Sequence, residues 1–327
     1  MVIGFIGSLL LTITHYPLPA RSAITSNLSY YNPIDYAAEI WKGKNVSLTG
    51  HVYASGFKLQ YLQQGTGTPA IVVGSSLYYS RTFSHNLRNS LNLVFVDHRG
   101  FSPPYDCQDT SQFQLDLLVD DIELIRKELG LDRVIIIGHS GHAFIALEYA
   151  KKYPANVSDV VMICAAPNFS HEGHIAAERY LNDSVCPERK AVLAKNLARL
   201  PQEIEAAPEK AFITYCLLMG PKSWFNYNYD ATKLWEGIEV NMAMFDYVWG
   251  QVFRDIDITE NLDRLQAPAF LALGRYDYLI PPPYMWESVR DKFSNLTIRV
   301  FEKSSHAPHF EEADLFDKEL IEWLRNS

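Results

Sequence analysis

The 327-residue chain has no block of basic residues: 29 Lys and Arg stand against 38 Asp and Glu, a formal charge of −9. Without a cationic stripe to displace counterions from phosphates, nucleic acid is not an expected partner. Cysteine is scarce as well. Cys107, Cys164, Cys186 and Cys216 lie far apart with no Cys-x-x-Cys spacing, so neither a zinc site nor a dense disulfide framework is expected. A single bridge such as Cys186 to Cys216 stays open if the protein is exported, and Cys164, in the apolar run 160–164, reads as a core residue. The N-terminal apolar run, 2–13, falls short of the ~20 residues needed to cross a bilayer, and no integral membrane segment is expected in the mature protein. That run has the length of a signal-peptide core, and Ala20-Arg21-Ser22 offers a small-x-small cleavage site, yet no Lys or Arg precedes it. Residues 1–22 therefore read as a signal peptide or an N-terminal arm, with export and cytoplasmic residence evenly balanced. Internal repeats and low-complexity segments are missing too. With 48% hydrophobic and only 20% charged residues, the composition implies a large core and excludes the disordered class.

What the chain does contain is an alternation of buried strands and helices. A short amphipathic helix is expected at 34–41. Segments 46–53 and 57–63 alternate polar and apolar residues around Ser55-Gly56, which predicts an antiparallel hairpin. Apolar strands follow at 70–73, 91–96, 134–137, 159–164, 269–273 and 297–301. Helical spacing appears at 115–129, 143–150, 284–292 and 313–325. Continuous apolar strands separated by helices imply a parallel sheet covered on both faces. Between 168 and 257 no buried strand can be read. Helical segments occur there at 176–181, 188–200, 209–219 and 233–252, punctuated by Pro201, Pro208 and Pro221. The expected architecture is an α/β fold with an eight-stranded, mostly parallel sheet. Residues 23–167 and 258–327 would form its core, and 168–257 a helical cap inserted after the sixth strand.

Chemistry concentrates at the strand ends. Gly138-His139-Ser140-Gly141-His142 joins a buried strand to a helix, a turn that lifts a serine Oγ above the sheet edge. The next N–H and the helix N-terminus then face whatever the serine attacks. The Gly-x-Ser-x-Gly pattern is incomplete, because His142 stands where the last glycine is expected. A serine needs a base, and the base an orienting acid. In doubly wound sheets ligands meet the carboxyl ends of strands, and two such residues lie downstream: Asp277 past the strand at 269–273 and His306 past the strand at 297–301. The backbone N–H groups of Gly141 and Ser75, with Ser76 as the alternative to Ser75, are the expected oxyanion donors, each worth about 3–4 kcal/mol. His309 is expected to cap or pack the last helix, and His98 to sit at the pocket rim or be structural. His139 is expected to be structural or to line the pocket, and the His142 ring to lie near the triad without belonging to it. His171-Glu172-Gly173-His174 lacks the i,i+4 spacing of a helical zinc site, so no metal or cofactor is expected. Segment 224–249 carries Trp224, Phe225, Tyr227, Tyr229, Trp235, Phe245, Tyr247 and Trp249. Packing accounts for most of these; the pocket candidates are His142, Tyr78, Tyr79, Trp224 and Tyr247, lining an apolar site for a small acyl or alcohol group.

From about Tyr53 onward the chain resembles the α/β-hydrolases, a family that includes prolyl aminopeptidases (proline iminopeptidases), esterases and lactonases. The resemblance rests on Asp97-His98-Arg99-Gly100, Gly138-His139-Ser140, Gly274-Arg275-Tyr276-Asp277 and His306-Ala307-Pro308-His309-Phe310-Glu311-Glu312. The insertion after the sixth strand matches that family's cap. It implies a serine hydrolase that cleaves an ester, lactone, thioester or amide bond of a small-molecule or short-peptide substrate through an acyl-enzyme. Prolyl aminopeptidases usually carry His-Gly-Gly-Pro-Gly and Gly-Gly-Ser-Trp-Gly where this chain has Val73-Gly74-Ser75-Ser76-Leu77 and Gly138-His139-Ser140-Gly141-His142. An esterase or lactonase is therefore expected ahead of an aminopeptidase. Under the second reading Glu236 or Glu239 would bind a substrate amine, although a solvated helix face is the plainer account of both. Related dehalogenases and epoxide hydrolases use an aspartate nucleophile, which the serine argues against. A non-catalytic ligand-binding protein on this fold is the third reading. Oligomeric state is not legible.

Overall fold

The computed structural model describes residues 47–168, 171–184 and 186–327; the expected N-terminal arm and the helix at 34–41 lie outside these residues. β1 (Ser47–Ala54) and β2 (Phe57–Gln64) pair antiparallel, with Ala54 opposite Phe57. The two residues left for the turn, Ser55 and Gly56, have φ of 49° and 89°, as a tight hairpin turn matched to strand twist requires. The strands that follow are β3 (Thr68–Gly74), β4 (Leu91–Asp97), β5 (Val134–His139), β6 (Val157–Ile163), β7 (Ala269–Gly274) and β8 (Leu296–Phe301). They join one sheet in the order β1-β2-β4-β3-β5-β6-β7-β8, parallel from β4 through β8. Every residue of β5 is buried, as the solid apolar run predicts. The order reverses beside β3: the chain leaves β3 for β4 on one side and returns to β5 on the other. The crevice above the carboxyl ends of β3 and β5 is thus where a ligand site belongs.

Helices cover both faces. α1 (Ser76–Thr82) follows β3 directly, capped by Ser75, whose hydroxyl accepts the Tyr78 N–H. α2 (Leu115–Glu128) buries Leu118, Val119, Ile122 and Ile125 at helical spacing, and α3 (His142–Lys152) springs from β5. Between β6 and β7 lie α4 (His171–Asn182), α5 (Pro187–Ala206), α6 (Ala211–Leu218), α7 (Gly220–Ser223), α8 (Thr232–Trp235) and α9 (Met242–Tyr247), the last continued by a π-helical turn at Val248–Val252. Leu181, Leu193, Leu200, Ile204 and Leu218 give this layer a small core of its own. After β8 come α10 (Pro308–Glu311) and α11 (Ala313–Leu324). Among the described residues no helix is long and apolar enough to cross a membrane.

Four local expectations need correction. α1 is a helix not among those expected, although a serine N-cap, Ser75, precedes it. The segment 233–252 is not one helix: Gly237, at φ 72°, separates α8 from α9, and buried Asn241 starts α9 by accepting the Met244 N–H at 2.9 Å. Pro201 does not end its helix but lies inside α5, where buried Leu200 and Ile204 hold the face together despite the lost N–H. The segment 284–292 is two 3₁₀ turns rather than an α-helix. The cysteines are all free, so the Cys186 to Cys216 bridge is not formed.

Gly274 ends β7 where it meets the loop after β8; a Cβ there would sit 1.7 Å from the Ser305 carbonyl oxygen. Gly274→Ala is expected to lower unfolding stability by about 3 kcal/mol in urea titration, whereas Gly56→Ala, which meets nothing within 4 Å, should lose only the ~1 kcal/mol of a left-handed residue.

Candidate active site

At the end of β5 the chain turns through Ser140, whose φ is 57°, a left-handed conformation that costs a non-glycine residue about 1–2 kcal/mol. Its N–H donates to the Ile163 carbonyl on β6 at 2.8 Å, and its own carbonyl accepts the Ala143 N–H as α3 begins. The turn is tight enough that a Cβ on Gly138 would lie 2.3 Å from the His142 carbonyl oxygen. Gly141 is required from the other side, since a Cβ there would meet the Trp249 indole at 2.7 Å. His142, in place of a third glycine, does not crowd the neighbouring backbone. Its ring extends toward Gly74, whose missing side chain makes room: a Cβ there would be 3.1 Å from the His142 ring and 2.3 Å from that of Tyr79.

The structure brings the other two sequence-predicted residues together. His306 Nδ1 lies 2.6 Å from Asp277 Oδ2, and both side chains are buried. The second Asp277 oxygen accepts the Leu279 N–H at 3.0 Å. His306 is also held through its backbone, donating its N–H to the Ser223 carbonyl of α7 at 3.0 Å. Glu311 ties the same loop down by accepting N–H bonds from Ser305 at 2.7 Å and Phe225 at 2.6 Å. Burial pushes the Glu311 carboxyl up to about 7 against the pull of those donors. Ser75 and Gly141 both face the cavity that holds Ser140 and His306. Ser76 is the correction: its N–H is taken by Asp97 at 2.5 Å and cannot also serve an oxyanion.

The Asp97-His98-Arg99-Gly100 stretch supports this floor residue by residue. Asp97 fixes the start of α1, and Arg99 grips Asp121 of α2 with two bonds of 2.7 and 2.8 Å. The Gly100 carbonyl accepts the Asn241 N–H at 2.8 Å. His98 is buried and bonded to His142, a structural position rather than a rim one. His309 is wholly buried against Phe83 and Phe316, packing the last helix as expected.

The cavity above the floor has a volume of about 160 Å³. Tyr78, Tyr79, His142 and Trp224 line it, and Tyr247 does not; its hydroxyl instead meets Gln114 at 2.7 Å. Further walls are Trp235, Phe245 and Trp249 from the aromatic stripe, whose inward faces are set by the helix break at Gly237, and Phe212 from α6. Glu236 and Glu239 are exposed and do not line the cavity. The carboxyl that does is Asp246, one of whose oxygens is buried without a partner. Desolvation raises it to about 7.

Cys164, Asp277 and His306 bring potential ligand atoms within 4.8 Å of one another. The atoms of Asp277 and His306 are already spent on each other, however. Burial also pushes the Cys164 thiol well above its usual range, so it stays protonated and ligates metal poorly. Cys164 is thus the buried core residue expected, and it lies beside the pair.

A family model described as the alpha/beta hydrolase fold matches residues 65–313. The AB hydrolase superfamily protein YclE of Bacillus subtilis is 38% identical over 275 residues, 84% of this chain and 98% of that protein. The chain belongs to the α/β-hydrolase family. A proline iminopeptidase of Heyndrickxia coagulans is 26% identical to this hydrolase, over 77% of this chain and 88% of the relative. An esterase structure from Exiguobacterium antarcticum superposes with a TM-score of 0.59 at 17% identity, covering 85% of this chain and all of that one.

Because position 140 is left-handed, replacing the serine by glycine should relieve strain. Ser140→Gly is expected to be about 1 kcal/mol more stable than Ser140→Ala in thermal melts; equal melting would mean the turn relaxes in solution.

Proposed function

We propose that this α/β-hydrolase is a serine hydrolase that cleaves esters, lactones, thioesters or amides of small apolar substrates through an acyl-enzyme, with residues 168–257 as the cap over its site. The observation that carries this reading is the buried 2.6 Å pairing of His306 with Asp277, in the cavity that also exposes Ser140. Asp277 holds the Nδ1–H of His306, which leaves Nε2 to accept the serine proton. Ser140 attacks the carbonyl, and the Gly141 and Ser75 N–H groups receive the developing oxyanion. His306 then returns the proton to the leaving group and activates water to release the acyl group. The aromatic walls exclude water and favour an apolar acyl or alcohol group.

A prolyl-type aminopeptidase is the second reading, favoured by one observation: the buried, unpartnered Oδ1 of Asp246 in a mostly apolar cavity. The two readings differ in sign with pH. Below about 7 Asp246 is protonated and brings no charge to the cavity; above it the carboxylate, which must be desolvated to admit an apolar ester, would disfavour that ester and attract a substrate ammonium. For p-nitrophenyl butyrate KM is expected to rise a few-fold between pH 6 and 8, and Asp246→Asn should flatten the rise. Proline 4-nitroanilide turned over as fast as the ester, with KM falling over that range, would reverse the order of the two readings. Ser140→Ala should lower kcat on the preferred substrate by roughly 10⁵-fold; retained turnover would overturn the serine mechanism.

A further inference from the structure

His142 departs from the elbow pattern, and its ring is one link in a continuous chain of buried groups. The Gly100 N–H lies 2.9 Å from His98 Nδ1, and His98 Nε2 lies 3.0 Å from His142 Nε2. His142 Nδ1 is 2.8 Å from the Tyr79 hydroxyl, which is 3.2 Å from His139 Nδ1. His139 Nε2 ends the chain 2.6 Å from the backbone carbonyl oxygen of His306. Tyr79, His98, His139 and His142 are each less than 10% exposed.

The two ends of the chain fix its direction independently. A backbone N–H can only donate, so His98 Nδ1 accepts and the proton of the neutral ring is on Nε2. That proton points at His142 Nε2, which must accept, so His142 carries its proton on Nδ1 and donates to Tyr79. From the other end, a carbonyl can only accept, so His139 holds its proton on Nε2 and its Nδ1 accepts. The Tyr79 proton is what it accepts. Both derivations meet at Tyr79 without conflict: five hydrogen bonds, each with one donor and one acceptor. Burial lowers the His142 pKa to about 3 and those of His98 and His139 well below the usual range. All three rings are then neutral at pH 7, as one-donor, one-acceptor links must be.

We infer that Tyr79 and His142 are positioning residues: with His98 and His139 they form a one-directional hydrogen-bond chain that anchors the backbone of His306 to the loop after β4. The inference rests on the reading of His306 as the base only for its kinetic consequence. The chain itself is a claim about tautomers. A side chain at the elbow position usually given to glycine supplies its central link, and the missing side chains at Gly74 and Gly100 leave space for the rings. A partly satisfied network of this kind would be unfavourable in a buried site; this one is fully matched.

Two measurements test it. In protein labelled with ¹⁵N in the histidine rings, long-range ¹H–¹⁵N spectra at pH 7, assigned by single His→Asn variants, report each tautomer. His142 is expected to be protonated at Nδ1, and His98 and His139 at Nε2. His142 protonated at Nε2, or at both nitrogens, would overturn the chain whether or not any substrate is found. The second measurement is Tyr79→Phe, which removes one oxygen and keeps the pocket wall. On the preferred ester kcat should fall about tenfold, with KM within twofold, as expected of a slightly misplaced base. A raised KM at unchanged kcat would reduce Tyr79 to a wall residue and overturn its positioning role. Absence of all hydrolysis in the parent protein would count against the function proposed above, and the ring spectra would still decide the chain.

Discussion

The left-handed turn at Ser140 is the constraint from which the rest of the site follows. A strand ending in that conformation must start its helix at once, and it needs neighbours without side chains, which Gly138 and Gly141 provide. The strain is held by the Ile163 carbonyl on β6 and by α3, which packs immediately behind the turn. Because β5 lies beside β3 at the point where strand order reverses, the same turn faces the loop after β3. Ser75, Ser140 and Gly141 thus line one crevice, as the strand topology favours.

Opposite this turn, the position of His306 depends on the helical layer as much as on the sheet. Its N–H reaches Ser223, and Glu311 bridges Ser305 to Phe225. Elsewhere Arg81 donates to the Leu234 and Glu236 carbonyls at 2.9 and 2.8 Å. Asn241 donates to the Pro104 and Cys107 carbonyls at 3.3 and 3.0 Å. These are directional bonds to backbone groups, which fix registration more tightly than apolar contact does. The helices between β6 and β7 therefore do more than cover a cavity; they help set where the imidazole stands.

Legibility in the sequence followed periodicity. Six strands could be read because buried parallel strands are solid apolar runs, the first two because a half-buried hairpin alternates, and Ser140, Asp277 and His306 because each closely follows an apolar strand. The reach of Asp277 to His306 across two strand ends needed only that rule. The cavity wall was less legible, since an aromatic stripe names its pocket face only when the helix axis is known. The break at Gly237 moved that axis, so Tyr247 turned to Gln114 while Phe245, Asp246 and Trp249 faced inward. Asp246 carried no signal apart from its neighbours, being one acid among many in an acidic chain. The hydrogen-bond chain through His98, His139 and His142 was invisible for a different reason. Three histidines at strand ends can be counted, but only atomic distances show that their donors and acceptors match.

The central claim is that Ser140 is a nucleophile activated by His306, and covalent capture tests it most directly. Intact-protein mass spectrometry after reaction with a fluorophosphonate should show one adduct per chain. Peptide mapping should place it on Ser140, and folded Ser140→Ala should remain unmodified. A folded parent protein that takes up no label, or takes it up equally in Ser140→Ala, would contradict the account.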